Sequence, residues 1–385
     1  MVQALFIHQN FPGQYRHLAP VIAARPGARV VGLGERENIS LPGVTHIRYP
    51  EPQGAGDKTH HYLRGMEASI RRAQNVARAL VDLRSKGFRP DIICCHPGWG
   101  EGMFLHDIFP NAKLLHYCEF HFTTAGGDVG FNPAHKVELD EAARTRLLNL
   151  PQTPALEAMD WGVSPTHFQR ARYPEVYRRK ISVVHEGVNS EVATPLGPHH
   201  LKLPNGSVIK RGDEVITFVS RNLEPYRGFD VFMRALPEIL ARRPQAQVVL
   251  VGGEARGYGP KPADGRSWRA HVYLTYPYVL SWSMIEAMGC EALVIGSATP
   301  PVQEVIQHGV NGLLVPFFDT AALAETVVDA LANPDRYEPI RKAARRTLLE
   351  RYELQSICLP QQIKLFDAVL EGRAGDSVIP AVPWI

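Results

Sequence analysis

The sequence is short of the features that mark specialised protein classes. Its 385 residues hold five cysteines, Cys94, Cys95, Cys118, Cys290 and Cys358, with no C-x-x-C spacing, and most lie inside apolar runs. Buried free thiols in a reducing compartment fit that pattern better than a disulfide framework. No window reaches the roughly 18 uninterrupted apolar residues of a membrane span. The opening MVQALFIHQNFPG also lacks the basic stretch and long apolar run of a secretory leader. The expectation is a cytoplasmic protein whose membrane contact, if any, is peripheral at the inner face of the membrane. Charge of one sign is lacking too: Lys+Arg 42 against Asp+Glu 39 leaves +3, which does not mark a nucleic-acid binder. Arg144, Arg146, Arg170, Arg172, Arg178 and Lys180 read as a solvated basic face rather than a lipid-binding one.

The length fits two domains, and 45% hydrophobic with 21% charged residues is a globular balance. Gly 32 and Pro 31 imply many turns. Short apolar runs alternate with amphipathic segments, the pattern of parallel strands joined by helices, so the fold class is α/β. In the first half, strands are expected at Ala4–His8, Arg29–Leu33, Asp91–His96, Lys113–Tyr117, Gly162–Ser164 and Ile181–His185. Leu63, Met66, Ile70, Val76, Leu80 and Leu83 recur at helical steps within His61–Lys86, which Gly87 and Pro90 close. The stretch TPLGPHHLKLPNGSVIKRGD, residues Thr194–Asp213, is rich in Pro and Gly and offers a hairpin turn at Asn205–Gly206; the domain boundary is placed there.

Beyond it, strands are expected at Val215–Ser220, Gln247–Val251, His271–Tyr276, Ala292–Ile295 and Gly312–Val315. Helices are expected at Phe229–Arg242, Ser281–Cys290, Val302–His308 and Thr320–Leu331, with a helical tail over Asp335–Arg373. The domain reading is 1–198, 199–353, and a C-terminal helix and tail over 354–385 that can return to the first domain. Both domains read as Rossmann-like and doubly wound, facing a cleft, and sites in such sheets lie at the carboxyl ends of the strands.

One such loop, SRNLEPYRG at Ser220–Gly228, carries Arg221 and Arg227 between a strand and a helix. Two guanidiniums beside a helix N-terminus can clamp a diphosphate by bidentate, charge-assisted bonds. The alternative is one surface arginine and one paired with Glu224. Further on, YPYVLSWSMIEAM places Glu286 about two turns into a helix, where a carboxylate can accept from the vicinal hydroxyls of a ribose. His116 reads as a core histidine in an apolar strand, and His60, His61, His199 and His200 as surface pairs. His116 and His121 have no third ligand at a convincing spacing, so no metal site is expected.

These residues carry a family resemblance. Val215–Gly253, ending AQVVLVGG, and Pro277–Asp319, with SMIEAMGCEALVIGSATPPVQEVIQHGVNGLLVPFFD, resemble the retaining family-4-type glycosyltransferases of the GT-B fold. HQNFPGQYRHLA, WGVSPTHFQRARYP and ISVVHEGVN in the first half add to the likeness. The resemblance implies a nucleotide-diphosphate sugar donor held by the C-terminal domain, a saccharide or lipid-linked acceptor held mainly by the N-terminal domain, and no required cofactor or metal. It further implies that Arg221 and Arg227 hold the diphosphate and Glu286 the ribose. The peptide N–H groups around Leu280 and Ser281 add to the phosphate site, and Gly13 lets backbone approach the ligand. The family also places a polar residue near the transferred sugar in the loop after the strand at Lys113–Tyr117, for which Glu119 and His121 in CEFH are the candidates; ordinary loop residues are the alternative.

The chain departs from the family pattern at three places. The first glutamate of the family's E-x7-E motif is Tyr278, and the lysine usual in the clamp is Arg227. Between Gly253 and His271, the family has a further strand and two helices. Here EARGYGPKPADGRSWRA, Glu254–Ala270, is too short for more than a connection. The C-terminal domain is therefore expected to lack one βα unit, leaving an edge or apolar patch uncovered and weakening donor binding. The leading reading is a retaining hexosyltransferase acting in polysaccharide or envelope assembly. The alternative is a degenerate scaffold or weak nucleotide binder.

Overall fold

The computed structural model describes residues 1–196, 200–202, 206, 208–210, 212–253 and 270–374. The chain divides into two compact units, Met1–Glu186 with Leu359–Ile385, and Gly187–Cys358. The chain therefore crosses between them at 186/187 and 358/359, where the sequence reading places its boundaries after 198 and 353.

The first unit is built on seven strands: β1 (Gln3–Ile7), β2 (Arg29–Gly34), β3 (Val44–Arg48), β4 (Ile92–Cys95), β5 (Lys113–Tyr117), β6 (Trp161–Ser164) and β7 (Ile181–Val183). They pair in the order β3-β2-β1-β4-β5-β6-β7, all parallel. Ala4 through Ile7 are fully buried, as are Ile92, Ile93 and Cys95. Such central strands have no solvent face, because helices cover both sides of a parallel sheet. Edge strand β3 was not expected from the sequence: VTHIR is half-exposed, without the apolar run that reveals a central strand.

Helix Arg64–Ser85 buries Ser69, Ala73, Val76, Leu80 and Leu83. The stripe begins on small residues, and Leu63 and Ile70, expected in it, are exposed. The reason is close approach: a Cβ at Gly100, whose φ is +105°, would stand 2.5 Å from the Ser69 carbonyl oxygen. Helix Leu359–Leu370 returns to this unit, where Phe366 stacks on Phe6 of β1 at 6.2 Å and Arg25 holds Asp367 through two bonds of 2.6 and 3.0 Å.

The second unit opens on an antiparallel pair, β8 (His200–Lys202) and β9 (Val208–Lys210). Of its expected turn, Asn205 lies outside the described residues, as does His199. The main sheet comprises β10 (Val215–Asn222), β11 (Gln247–Gly253), β12 (Ala270–Tyr273), β13 (Leu293–Ser297) and β14 (Leu313–Val315). These are parallel, in the order β11-β10-β12-β13-β14. Counted in chain order this is 2-1-3-4-5, whereas the first sheet runs 3-2-1-4-5-6-7. Among the described residues β11 is an edge, and Leu250 on it and Met233 on helix Phe229–Arg242 are each 40% exposed. Of the expected short connection Glu254–Ala270, residues 254–269 lie outside the described residues. Helix Phe229–Arg242 packs Phe232 against Phe218 of β10 at 5.2 Å. The expected helix at Val302–His308 is instead a single turn, Pro300–Gln303, and the helical tail is interrupted by wide turns at Leu348–Tyr352 and Leu354–Cys358.

All five cysteines are buried and free. No helix among the described residues is long and apolar enough to cross a membrane. The expected basic face is largely tied down: Arg170 donates to the Ile181 carbonyl, Arg172 to those of Ala125 and Gly126, and Arg178 and Arg179 pair with Glu175.

Because Phe366 is fully buried against β1, Phe366→Ala should cost about 3–5 kcal/mol in urea unfolding. Exposed Lys364→Ala should stay within about 0.5 kcal/mol of the parent. A small loss for Phe366→Ala would show that the returning helix is not part of this core.

Candidate functional site

In the second unit, the candidate residues gather where β10 and β12 run side by side and their continuations diverge. β10 reaches Asn222, so Arg221 lies on the strand itself, exposed, rather than in the loop that the sequence implied. A shift in pairing between Val219 and Asn222 accompanies this strand end. Arg227 closes the turn Pro225–Arg227. Gly228 follows at φ +68°, where a Cβ would stand 2.4 Å from that of Leu274.

Arg227 does not take up the expected alternative pairing with Glu224. Its guanidinium donates to Thr275 Oγ1 and to the Val279 carbonyl, both at 2.9 Å, fixing the loop after β12. Thr275 is itself held, its amide donating to Ser297 Oγ and its carbonyl accepting from Ser297 and Thr299. Both strand-end loops are thus locked by polar side chains, a preorganised arrangement suited to binding an anion.

Helix Trp282–Gly289 starts in this loop. Ser281 caps it by accepting from the Ser283 amide. The Ser281 amide, expected as a phosphate donor, is given to Tyr273 Oη at 2.7 Å. Leu280 is buried in the unit's core. Glu286 is half-buried little more than one turn into the helix, not two, because the helix begins at Trp282. Tyr278 stands edge-on to Tyr226 at 6.2 Å, and Tyr226 stacks on Tyr276 at 4.8 Å. Phe317 and Phe318 extend this aromatic cluster. The position of the family's first glutamate is therefore built into an aromatic stack.

In the first unit, Gly13 follows β1 with φ +47°, and a Cβ there would stand 2.7 Å from the His8 ring. The space the glycine frees is taken by His8. That ring meets the His96 ring edge-on at 5.2 Å, and His96 Nε2 lies 3.3 Å from Glu119 Oε2. Gly13 and Glu119, far apart in sequence, are thus linked through two histidines at the ends of β1 and β4. Glu119 follows β5, its side chain 15% exposed, and its carbonyl accepts from Gln169 Nε2 at 2.7 Å. His121 in the same loop lies 5.6 Å from the Tyr173 ring. Burial, helped by the charge of Arg172, lowers its pKa to about 4, so it is a neutral imidazole at neutral pH. His116 is a fully buried core histidine, lowered to about 4 by burial. A cavity of about 30 Å³ bordered by Tyr15, Tyr117, Glu186 and Gln362 has room for water. Among the described residues no cluster of His, Cys, Asp and Glu could hold a metal ion.

Sequence reasoning missed His96 and Glu101. Glu101 is 1% exposed and receives a 3.3 Å bond from Tyr49 Oη, while Arg72 nearby pairs with Glu35. Burial raises its pKa to about 7, against the opposing pull of Arg72. The only signal in sequence is its place in the CCHPGWGE segment closing a strand.

Two parallel sheets, each with a reversal in strand order, define a protein of the doubly wound, Rossmann-like class. The family model for the glycosyl transferase family 4 group matches residues 26–193, and that for glycosyl transferases group 1 matches 279–347. The chain belongs to the family-4 glycosyltransferases of the GT-B fold. It is 27% identical over 181 residues to a phosphatidyl-myo-inositol mannosyltransferase of Propionibacterium freudenreichii, covering 43% of this chain and 46% of that protein. The chain spans between 24% and 57% of the length of such curated relatives. In structure it is similar to a sucrose-phosphate synthase of Thermosynechococcus elongatus, with TM-score 0.71 and 18% identity over 96% of this chain and 100% of that one. It is also similar to Anabaena HepE in complex with UDP-glucose, with TM-score 0.61 and 14% identity over 94% and 98%.

A carboxyl whose folded pKa is raised adds stability that is complete below its unfolded pKa and is lost as pH rises through about 7. Glu101→Gln should therefore gain on the parent between pH 5 and 8, by roughly 3 kcal/mol at most. His116, His185 and His271, which are buried, and half-buried His121 are lowered to about 4 and act in the opposite sense. They stabilise above their unfolded pKa and lose that contribution as pH falls, equally in both proteins. Urea midpoints across this range check the difference, and parallel curves would refute the assignment.

Proposed function

We propose that the protein transfers a sugar from a nucleotide-diphosphate donor to a saccharide or lipid-linked acceptor, with retention of configuration and without a required metal. The observation that carries the reading is the pairing of Arg221 at the end of β10 with an Arg227 that locks the loop after β12. Beside them lie a helix start capped by Ser281 and, on that helix, Glu286. Support for the donor class comes from the structural likeness to HepE, whose complex contains UDP-glucose. Support for a lipid-linked acceptor comes from the likeness to phosphatidyl-myo-inositol mannosyltransferases.

In this reading Arg221 and Arg227 hold the diphosphate, Glu286 accepts from ribose hydroxyls, and the amides around Leu280 and Ser281 border the phosphate site. The Ser281 amide already has Tyr273 as acceptor, so the arginines carry most of that role. As the anomeric bond breaks, negative charge grows on the leaving diphosphate and positive charge on the sugar ring. Fixed guanidiniums stabilise that state more than the ground state, and so accelerate departure. On the first unit, the Glu119 carboxylate stabilises the oxocarbenium-like sugar, while neutral His121 hydrogen-bonds its hydroxyls. Gly13 keeps the loop after β1 free of a side chain. A cytoplasmic setting and a part in polysaccharide assembly belong to the same proposal.

A thermal-shift screen with uridine, guanosine, adenosine and cytidine diphosphates should give a shift with one base. Release of that nucleoside diphosphate from its sugar conjugates then measures turnover. Arg221→Ala should lower it by about 100-fold or more, and wild-type-like rates in this variant would overturn the assignment. Turnover should also survive EDTA unchanged, since the charge is met by arginine; a rate restored only by added divalent cation would refute that part.

A further inference from the structure

His96 sits where β4 ends, as the cap of the turn Pro97–Trp99. Its Nδ1 accepts from the Gly98 amide at 3.3 Å, so the neutral ring carries its proton on Nε2. Gly98 is needed for this placement, because a Cβ there would stand 2.9 Å from His96 Cε1. The imidazole stacks on Trp99 at 4.2 Å and 18°, and on Tyr117 at 5.5 Å and 29°. The His8 ring closes on it edge-first. A ring held this way has little rotational freedom.

Its Nε2 is buried, and among the described residues no hydrogen bond of good geometry satisfies it. The one carboxylate paired with it is Glu119, whose Oε2 lies 3.3 Å away. The two partners differ in access: the His96 side chain is 4% exposed and that of Glu119 is 15%. A ligand can touch the carboxylate and not the imidazole. Glu119 is also fixed from behind by Gln169, which is fully buried and whose amide bonds the Glu119 carbonyl.

We propose that His96 is a positioning residue: its Nε2–H, set by the turn at Gly98 and the stack on Trp99 and left without another acceptor among the described residues, draws the Glu119 carboxylate, 3.3 Å away, into a hydrogen bond and so holds it in the orientation in which it faces the transferred sugar. A carboxylate on a strand-end loop has several rotamers of similar energy. A buried donor on the neighbouring strand selects one and keeps the group preorganised for a developing positive charge. The turnover arm of the test rests on the glycosyl-transfer reading above; the spectroscopic arm does not.

Two substitutions separate this role from a purely structural one. His96→Gln carries an N–H close to the position of Nε2, while His96→Asn keeps an acceptor for the Gly98 amide, as a good capping residue, but loses the donor toward Glu119. With the nucleotide sugar chosen by the screen above, His96→Asn should lower kcat by roughly 10–100-fold with donor KM unchanged. His96→Gln should recover most of the rate. Adding Glu119→Gln to His96→Asn should cost nothing beyond the Glu119→Gln single variant. The reverse ranking, with His96→Asn active and His96→Gln impaired, or additive losses, would overturn the proposal.

Independently of activity, 15N-histidine spectra of the full chain should show His96 protonated on Nε2, with that resonance moved by Glu119→Gln. An Nδ1–H tautomer, or an Nε2 signal blind to Glu119→Gln, would refute the contact itself. If no nucleotide sugar is turned over by the wild type, the glycosyl-transfer reading falls, while the spectra still decide the pair.

Discussion

Everything in either unit follows from one constraint, the parallel pairing of strands that are not neighbours in sequence: β1 with β4, and β10 with β12. Parallel strands must be joined by crossovers over the sheet faces, so their carboxyl ends collect along one edge. Where the winding reverses, the loops from two adjacent strands leave in opposite directions and open a crevice. In the first unit the reversal lies between β1 and β4, which is where His8 and His96 meet. In the second it lies between β10 and β12, which is where Arg227 crosses to the loop of Thr275 and Val279. The pairing also explains the buried polar groups. At the β10 and β12 junction Thr217 Oγ1 meets His271 Nδ1 at 2.9 Å, satisfying one nitrogen of an imidazole that burial keeps neutral.

The fold was legible wherever burial is uniform. ALFI and IICC are continuous apolar runs, and VITFV is broken only by Thr217, because helices cover both faces of a central parallel strand. Strand β3 escaped because VTHIR lies at an edge, and nothing in its composition separates it from a loop. The stripe of helix Arg64–Ser85 was misread at its start, where Leu63 and Ile70 drew attention and Ser69 and Ala73 are buried. Apolar periodicity detects volume. A close backbone approach such as that at Gly100 demands the reverse, small residues, and leaves no hydrophobic signal.

The candidate site was legible as residue types and not as contacts. Arg221 ends β10, Arg227 closes the turn after it and Glu286 lies on helix Trp282–Gly289, but the partners of Arg227 come from a loop some fifty residues away. A guanidinium that could pair with Glu224 next to it instead braces a second loop, and no local pattern predicts that choice. His96 was missed for the same reason. In sequence it is a histidine before Pro97; its relation to Glu119 exists only because β4 and β5 pair in register, Cys95 beside His116.

The five strands described in the second sheet show which parts of such a domain are separable. In order 3-2-1-4-5-6 the third strand lies two positions from the reversal, so removing it gives 2-1-3-4-5 with the reversal still between the first strand and its crossover partner. That is the order of β11, β10 and β12 here. The loops that carry Arg227 and Ser281 belong to the strands on either side of the reversal, and their mutual bonds do not involve β11. The consequence falls on the edge: Leu250 and Met233 are exposed on the strand and helix that a further βα unit would cover. The brace from Arg227 to the loop after β12 and a covered strand edge are thus independent properties of this fold. The chain keeps the first while Leu250 and Met233 stand open to solvent.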